Sequence, residues 1–404
     1  MIKELVGKNL RQYGIMLALV AIVIIFAFAT KGRLIIPNNL WALVQQNAYV
    51  LILALGMLMV IIAGHIDLSV GSVVAFIGAV VGYMMYTWHV NWILAVAAGL
   101  VIGLLVGAWH GFWVAYVKVP AFVVTLAGML LFRGLAQVVA AKTMAGFPAG
   151  FNAIAGGSLP NIFGHIPNPL AGLFAAGSPF GQPLDGLTLA IGIIGIVGLI
   201  LQSWRARRSQ ISHGLPVGPL SLLVVRWALL SVAILVVTYL LSMNLIGGTP
   251  IVLIIVGVLI LIYAFVTSRT VFGRHVYAVG GNRNGALLSG VNTARVDFGI
   301  FVNMGFLTAV AAVVTTSRAG AAVAAAGQNF ELDAIASCFI GGAAVTGGVG
   351  KVAGAVVGAL IMGVLNMGLS ILNVDSNWQM AIKGLVLLFA VSLDLVSKRR
   401  NAVA

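Results

Sequence analysis

Apolar runs of about 17 to 25 residues recur from one end of the chain to the other, each long enough to cross roughly 30 Å of hydrocarbon as a helix. They fall at 14–30, 41–63, 70–86, 91–117, 120–141, 187–203, 221–242, 250–268, 297–316, 323–346, 352–372 and 379–396. With 61% hydrophobic residues, 7% charged residues and a mean hydropathy of +1.13, the 404 residues carry more apolar surface than one soluble core could hide. The expected fold is an all-α polytopic transmembrane helical bundle of about 10–12 spans, with broken helices and a weak internal parallel repeat.

A formal charge of +14 would suggest nucleic acid as the partner of a soluble protein, but here the basic residues sit in short loops between spans. No nucleic-acid partner is expected. Twelve crossings place Lys3, Lys8, Arg11, Lys118, Arg205, Arg207, Arg208, Arg269, Arg274, Arg283, Arg295, Lys351, Lys398, Arg399 and Arg400 on one side, against Lys31, Arg33, Lys142 and Arg318 on the other. That bias makes the richer side cytoplasmic and puts both termini there. The run from Ile15 to Thr30 is too long for a signal-peptide core and lacks an A-x-A-like site, so it reads as a first span. A lone cysteine, Cys338, allows no internal disulfide and fits none of the cysteine metal patterns. No metal site, catalytic residue or cofactor is expected.

Two of the runs are interrupted. Gly64-His65-Ile66-Asp67-Leu68-Ser69-Val70-Gly71 breaks one, and Gly347-Gly348-Val349-Gly350 breaks another, on the same side and in the same sense of crossing. The run 323–346 is expected to cross, bent or half-unwound, because a re-entrant path would strand the C-terminal basic cluster outside. The stretch 142–186, rich in Gly, Pro and Asn, reads as an external loop with at most short helices, and 187–242 as an added helical hairpin.

Gly99, Gly103, Gly107 and Gly111 share one helix face, where a neighbouring backbone can approach closely; packing alone explains them. Gly348-Val349-Gly350-Lys351 superficially suggests a phosphate loop, but Val345 and Val352 stand where that pattern needs Gly and Ser or Thr. ATP-driven work would therefore need a separate subunit. Ionisable residues within spans line cavities or pair, so Asp67, Arg133, Glu331, Asp333 and Lys383 stand out. Asp67 and Ser69 suit a helix cap, Glu331 and Asp333 a cap or snorkel near an outer end, and Lys383 a snorkel. Arg133, deep in its span, can pair with Glu331 or Asp333 or meet a hydroxylated substrate. Polar neutral residues such as Gln46, Asn47, Thr125 and Asn366 supply donors and acceptors for a neutral polyol, or simply join helices. The candidate path is Gln46, Asn47, Asp67, Ser69, Thr125, Arg133, Glu331, Asp333 and Asn366.

Several stretches together resemble a known family. Gly64-His65-Ile66-Asp67-Leu68-Ser69-Val70-Gly71, Pro120-Ala121-Phe122-Val123-Val124-Thr125-Leu126 with Phe132-Arg133-Gly134-Leu135, Gly280-Gly281-Asn282 with Leu288-Ser289-Gly290-Val291, and Glu331-Leu332-Asp333-Ala334-Ile335-Ala336 are similar to the permease subunits of bacterial ABC importers for ribose, xylose, arabinose and galactose. The resemblance implies one transmembrane permease domain over 1–404, paired with a second copy in the bacterial inner membrane and surrounded by lipid. It also implies ATPase subunits on the cytoplasmic side and a periplasmic sugar-binding protein outside. The basic segment 269–296 then matches the family's coupling loop, with Arg274, Gly281, Asn282, Arg283, Ala286, Leu287, Leu288, Ser289 and Gly290 as its contact residues. Ala286 to Gly290 is expected to form a short helix. Arg283-Asn284-Gly285 departs from the family's usual acidic residue followed by alanines, which favours docking by apolar contact over charge. The hairpin 187–242 is similar to that of the longer xylose permeases, so the resemblance leans to D-xylose. The alternative is an ion-coupled sugar carrier acting alone; scarce acids within the spans weaken it. An enzyme acting on lipid would need clustered His, Asp or Glu, which the sequence lacks.

Overall fold

The structure, a computed structural model, describes residues 2–175, 177–215, 217–244 and 247–403, and the side chains of these except 2–13, 390 and 393–403. The basic side chains of Lys3, Lys8, Arg11, Lys398, Arg399 and Arg400 therefore lie outside the described residues. Among the described residues fifteen α-helices dominate: α1 (Ile2–Ala29), α2 (Pro37–Ile62), α3 (Val70–Tyr86), α4 (Trp92–Ala115), α5 (Ala121–Val139), α6 (Ala149–Gly156), α7 (Gly186–Ser212), α8 (Leu220–Ser242), α9 (Ile251–Arg269), α10 (Val271–Gly281), α11 (Arg283–Leu288), α12 (Thr293–Ala319), α13 (Phe330–Ile340), α14 (Val352–Ile371) and α15 (Ser376–Val403). Among the described residues eight helices are long and apolar enough to cross a membrane, and α3 is a shorter apolar helix. The chain is a multi-pass, all-α membrane protein.

Local signals start and stop these helices. The Asn91 side chain accepts from Ile93 N at 2.9 Å to begin α4, Asp185 from Thr188 N at 2.7 Å to begin α7, and Asn292 from Arg295 N at 3.0 Å to begin α12. Gly320, at φ 59°, ends α12 in the left-handed region that glycine tolerates best.

The chain divides into two compact units. In the first, residues 1–10, 31–42 and 158–250, helices α7 and α8 pack against each other. Trp204 and Trp227 meet across it with ring centroids 6.2 Å apart, and Arg207 Nη1 donates to the Gly218 carbonyl at 2.7 Å. The loop before it is tied by β2 (His165–Ile166) and β3 (Leu184–Asp185), and Tyr239 OH donates to Asn168 Oδ1 at 2.7 Å.

The second unit holds residues 11–30, 43–157 and 251–404. The part of α2 from Ala48 to Ile62 is its buried axis. Beside it α4 lies against α12, and a side chain on Gly103 or Gly107 would run into the backbone of Gly305 or Phe301, which confirms the glycine face as a packing seam. At one end β1 (Met144–Ala145) pairs with β4 (Ala321–Ala322), and α6 docks on α12 where Ser317 Oγ donates to the Phe151 carbonyl at 2.7 Å.

The run 323–346 is not a spanning helix. Only Phe330–Ile340 is helical, about 16 Å long at 1.5 Å per residue. The path still crosses, because Ala321 and Ala322 pair with β1 at one end while Gly348 N donates to the Ile62 carbonyl at the other, 2.8 Å away. Residues 63–69 form the matching non-helical stretch between α2 and α3. Just after the first stretch, Gly71 in the first turn of α3 abuts Gly327 in the second, each leaving room for no side chain on the other. This juxtaposition brings 63–71 beside 320–329, segments that the sequence did not single out as neighbours. Hydropathy averages over Ala and Gly without sensing where helical hydrogen bonding stops.

Candidate functional site

At the basic end of the second unit the segment after α9 is helical almost throughout. Thr270 Oγ1 accepts from Gly273 N at 3.0 Å to open α10, and Asn282 Oδ1 accepts from Gly285 N at 2.9 Å to open α11. Arg283-Asn284-Gly285 is therefore the first turn of the helix, which runs from Arg283 to Leu288 and so starts three residues before the helix expected over 286–290. Ala286 is buried, while Leu287 and Leu288 are 59% and 89% exposed. Ser289 Oγ donates back to the Gly285 carbonyl at 2.8 Å, and Gly290, at φ 82°, turns the chain towards α12. Arg274, Arg283 and Arg295 are all exposed, but Arg283, 47% exposed, also reaches in to Asp297 Oδ2. Asp297 is fully buried, and its other oxygen lies 3.2 Å from His65 Nε2.

The same segment rests on both chain breaks. A Cβ on Gly280 would overlap the Ile62 carbonyl oxygen, so α10 touches the end of α2 backbone to backbone. Gly281 lies against Gly348, and Tyr277 OH donates to the Gly350 carbonyl at 2.7 Å. Burial pushes the Tyr277 phenol pKa up, so it stays a donor at physiological pH.

Deeper, Asp67 does not cap α3. Its Oδ1 accepts from Ser69 N at 2.8 Å and Ser69 Oγ at 2.6 Å, which orders a turn just before that helix. Thr125, on α5, lies 3.4 Å from the Ile66 carbonyl. Arg133 reaches neither carboxylate proposed for it. Its Nη1 donates to the carbonyls of Ala324 and Ala326 at 3.0 and 2.7 Å, so it satisfies backbone groups that the non-helical stretch leaves free. A cavity of about 360 Å³ opens there, lined by Ser72, Arg133, Gln328, Asn329 and Glu331 with Met129, Leu130 and Met380. The Glu331 carboxylate lies over Gly71 in the first turn of α3.

Asp333 belongs to a separate cluster. It is 1% exposed and neither caps into solvent nor snorkels. Tyr49 OH donates to its Oδ2 at 2.6 Å, and Lys383 Nζ lies 3.0 Å from Oδ1 and 3.2 Å from Oδ2. Asn366 Nδ2 stands between Asp333 Oδ2 at 3.4 Å and Asn47 Oδ1 at 3.3 Å. The Tyr49 ring stacks on Phe330, centroids 3.5 Å apart. Lys383, 15% exposed, is thus an interior ion-pair partner, not a snorkelling residue.

Of the expected path residues, Asn47, Asp333 and Asn366 come together, as do Arg133 and Glu331; Asp67, Ser69 and Thr125 gather at the first break. Gln46, half-buried beside Asn47, joins none of these groups. Tyr49, His65, Tyr277 and Asp297 were missed. Asp297 had a signal: it is the first acid after Asp185 in a stretch with eight arginines. Among the described residues no group of three or more His, Cys, Asp or Glu could hold a metal ion.

Comparison with known proteins gives a match over residues 39–391 to the family described as branched-chain amino acid transport system / permease component. The chain is 38% identical over 398 residues to the xylose transport system permease protein XylH of Haemophilus influenzae, covering 98% of this chain and 99% of that one. It is 39% identical over 396 residues to XylH of Escherichia coli K12, covering 97% and 94% of the two chains. The ribose import permease protein RbsC of Bacillus subtilis is 33% identical over 386 residues, covering 95% and 93%. No solved structure matches the chain.

Proposed function

The chain belongs to the branched-chain amino acid transport system / permease component family, and on that footing we propose that it is the membrane-spanning subunit of an ATP-binding-cassette importer for a monosaccharide, D-xylose in particular. It is a transport subunit and not an enzyme. The observation that carries the reading is the pair α10–α11, which presents Leu287 and Leu288 outwards while its other face rests on both breaks of the membrane helices. An exposed apolar tip on a capped helix suits a groove in a partner. A partner that closes on ATP would push there on the part of the fold least held by helical hydrogen bonds.

In this reading the basic end faces the cytoplasm of a bacterial cell, both termini lie on that side, and the protein sits in the inner membrane. ATPase subunits dock on α10–α11. A periplasmic sugar-binding protein meets the opposite end, where β1, β4 and α6 lie. A second permease copy completes the assembly within the lipid. The sugar path runs past Ser69, Thr125, Arg133 and Glu331, where the two non-helical stretches meet. The choice of xylose follows the names of the two relatives matched at 38% and 39% identity over nearly their whole length. An ion-coupled carrier acting alone is less well supported, because Asp333 and Asp297 are both taken up by interior ion pairs.

The test replaces Leu287 and Leu288 together with Asp and measures sugar-stimulated ATP hydrolysis in complexes reconstituted with the ATPase and the binding protein. Stimulation is expected to disappear. Stimulation at the unaltered level would remove the assigned role of α10–α11.

A further inference from the structure

Among the described residues, Asp297 is the one group that touches both the segment read as the ATPase contact and the interior of the fold through charged or ionisable side chains. Its carboxylate, 0% exposed, takes Arg283 on one oxygen and His65, at 3.2 Å, on the other. Arg283 is the first residue of α11, whose far end carries Leu287 and Leu288. His65 belongs to the non-helical stretch 63–69. None of these contacts is needed to hold a helix together, since α11 is capped by Asn282 and α12 by Asn292.

A buried carboxylate tolerates loss of a partner poorly, because the uncompensated charge is left in a medium of low dielectric. When Arg283 is displaced, the cheaper response is for Asp297 and His65 to move with it. Beyond His65 the chain has little slack. Asp67 fixes Ser69 in a turn two residues later, and Gly71 already abuts Gly327 with Glu331 over it. Six residues of chain therefore connect the Arg283–Asp297–His65 group to the contact of Gly71 with Gly327. The contact of Tyr277 OH with the Gly350 carbonyl runs parallel to it but is a single neutral hydrogen bond.

We infer that Asp297 is a positioning residue that carries displacement of α11 into the 63–69 stretch, taking it from Arg283 and delivering it to His65. The inference rests on the reading of α10–α11 as the ATPase contact. It assigns Asp297 no contact with sugar or nucleotide.

The readout is sugar transported per ATP hydrolysed in full complexes in proteoliposomes, with the amount of assembled complex measured alongside. His65→Leu, at a site 18% exposed, removes the bond to Asp297, whereas His65→Gln keeps an N–H donor for it. Transport per ATP is expected to fall by roughly tenfold in His65→Leu, the scale of one lost charge-assisted hydrogen bond, and to stay near the wild-type value in His65→Gln. Arg283→Gln is expected to show the same loss and Arg283→Lys to recover most of it, and Arg283→Gln combined with His65→Leu should be no worse than either alone. Wild-type transport per ATP in His65→Leu, or equal loss in His65→Leu and His65→Gln, overturns the inference. Should His65→Leu not assemble, the Arg283 pair decides alone, and equal loss in Gln and Lys overturns it. Failure of the underlying reading looks different: the wild-type complex would then transport sugar without consuming ATP.

Discussion

Lys383 and Asp333 form an ion pair with side chains 15% and 1% exposed, fifty residues apart in sequence and joined by Tyr49 and Asn366. Removing one member leaves the other charge buried and unpaired, which costs about 3–5 kcal/mol, whereas replacing both by neutral groups is far less damaging. Lys383→Met is therefore expected to lower the thermal unfolding midpoint of the detergent-solubilised protein markedly, and Lys383→Met with Asp333→Asn to restore most of the loss. A double variant as unstable as the single would show that the pair is not the unit. Residue by residue, the sequence revealed which groups were costly to bury but not with whom they pair. Lys383 looked like a snorkelling residue because its nearest span end is close in sequence, and only the fold brings α13 to it. Arg133 was flagged for the right reason, yet its partners are backbone carbonyls, which carry no mark in a sequence.

Among the elements, the α4–α12 contact shows how far periodicity can be trusted. Four glycines at intervals of four residues define one face of one helix whatever surrounds it, and the structure sets the α12 backbone against Gly103, Gly107 and Gly111 and the Val81 and Ile77 side chains of α3 against Gly99. A methyl group at Gly107 would meet Val302 Cα at 2.8 Å and force the helices apart, while the space around Gly134 is open to 4 Å. Gly107→Ala is expected to reduce the yield and thermal stability of the solubilised protein, with Gly134→Ala indistinguishable from wild type; equal behaviour of the two would deny the seam its importance. Helix limits such as 70–86 were legible because Ser, Gly and Thr punctuate them. The break within 323–346 was legible only as a disturbance, since its Ala- and Gly-rich composition is as apolar as that of a helix.

For the molecule as a whole, orientation is the property on which every functional statement depends. Cys338 is fully buried, so Leu288→Cys in a Cys338→Ser background offers a single reactive thiol on an exposed residue. A membrane-impermeant maleimide is expected to label it in inverted vesicles and not in intact cells; the reverse pattern would turn the protein over. The fold class followed from the recurring apolar runs, because hydrocarbon thickness sets helix length independently of any contact. How the breaks meet did not follow, since Gly71 and Gly327 come together only through the packing of whole helices. That meeting has a consequence for the energetics of the cell. At this contact backbone lies against backbone with the Glu331 carboxylate over it, so a rotamer change of Glu331 alone does not part Gly71 from Gly327; that takes a shift of whole helices. In the proposed importer, a contact of that kind would let the resting protein sit in an energised bacterial membrane without short-circuiting its electrical potential.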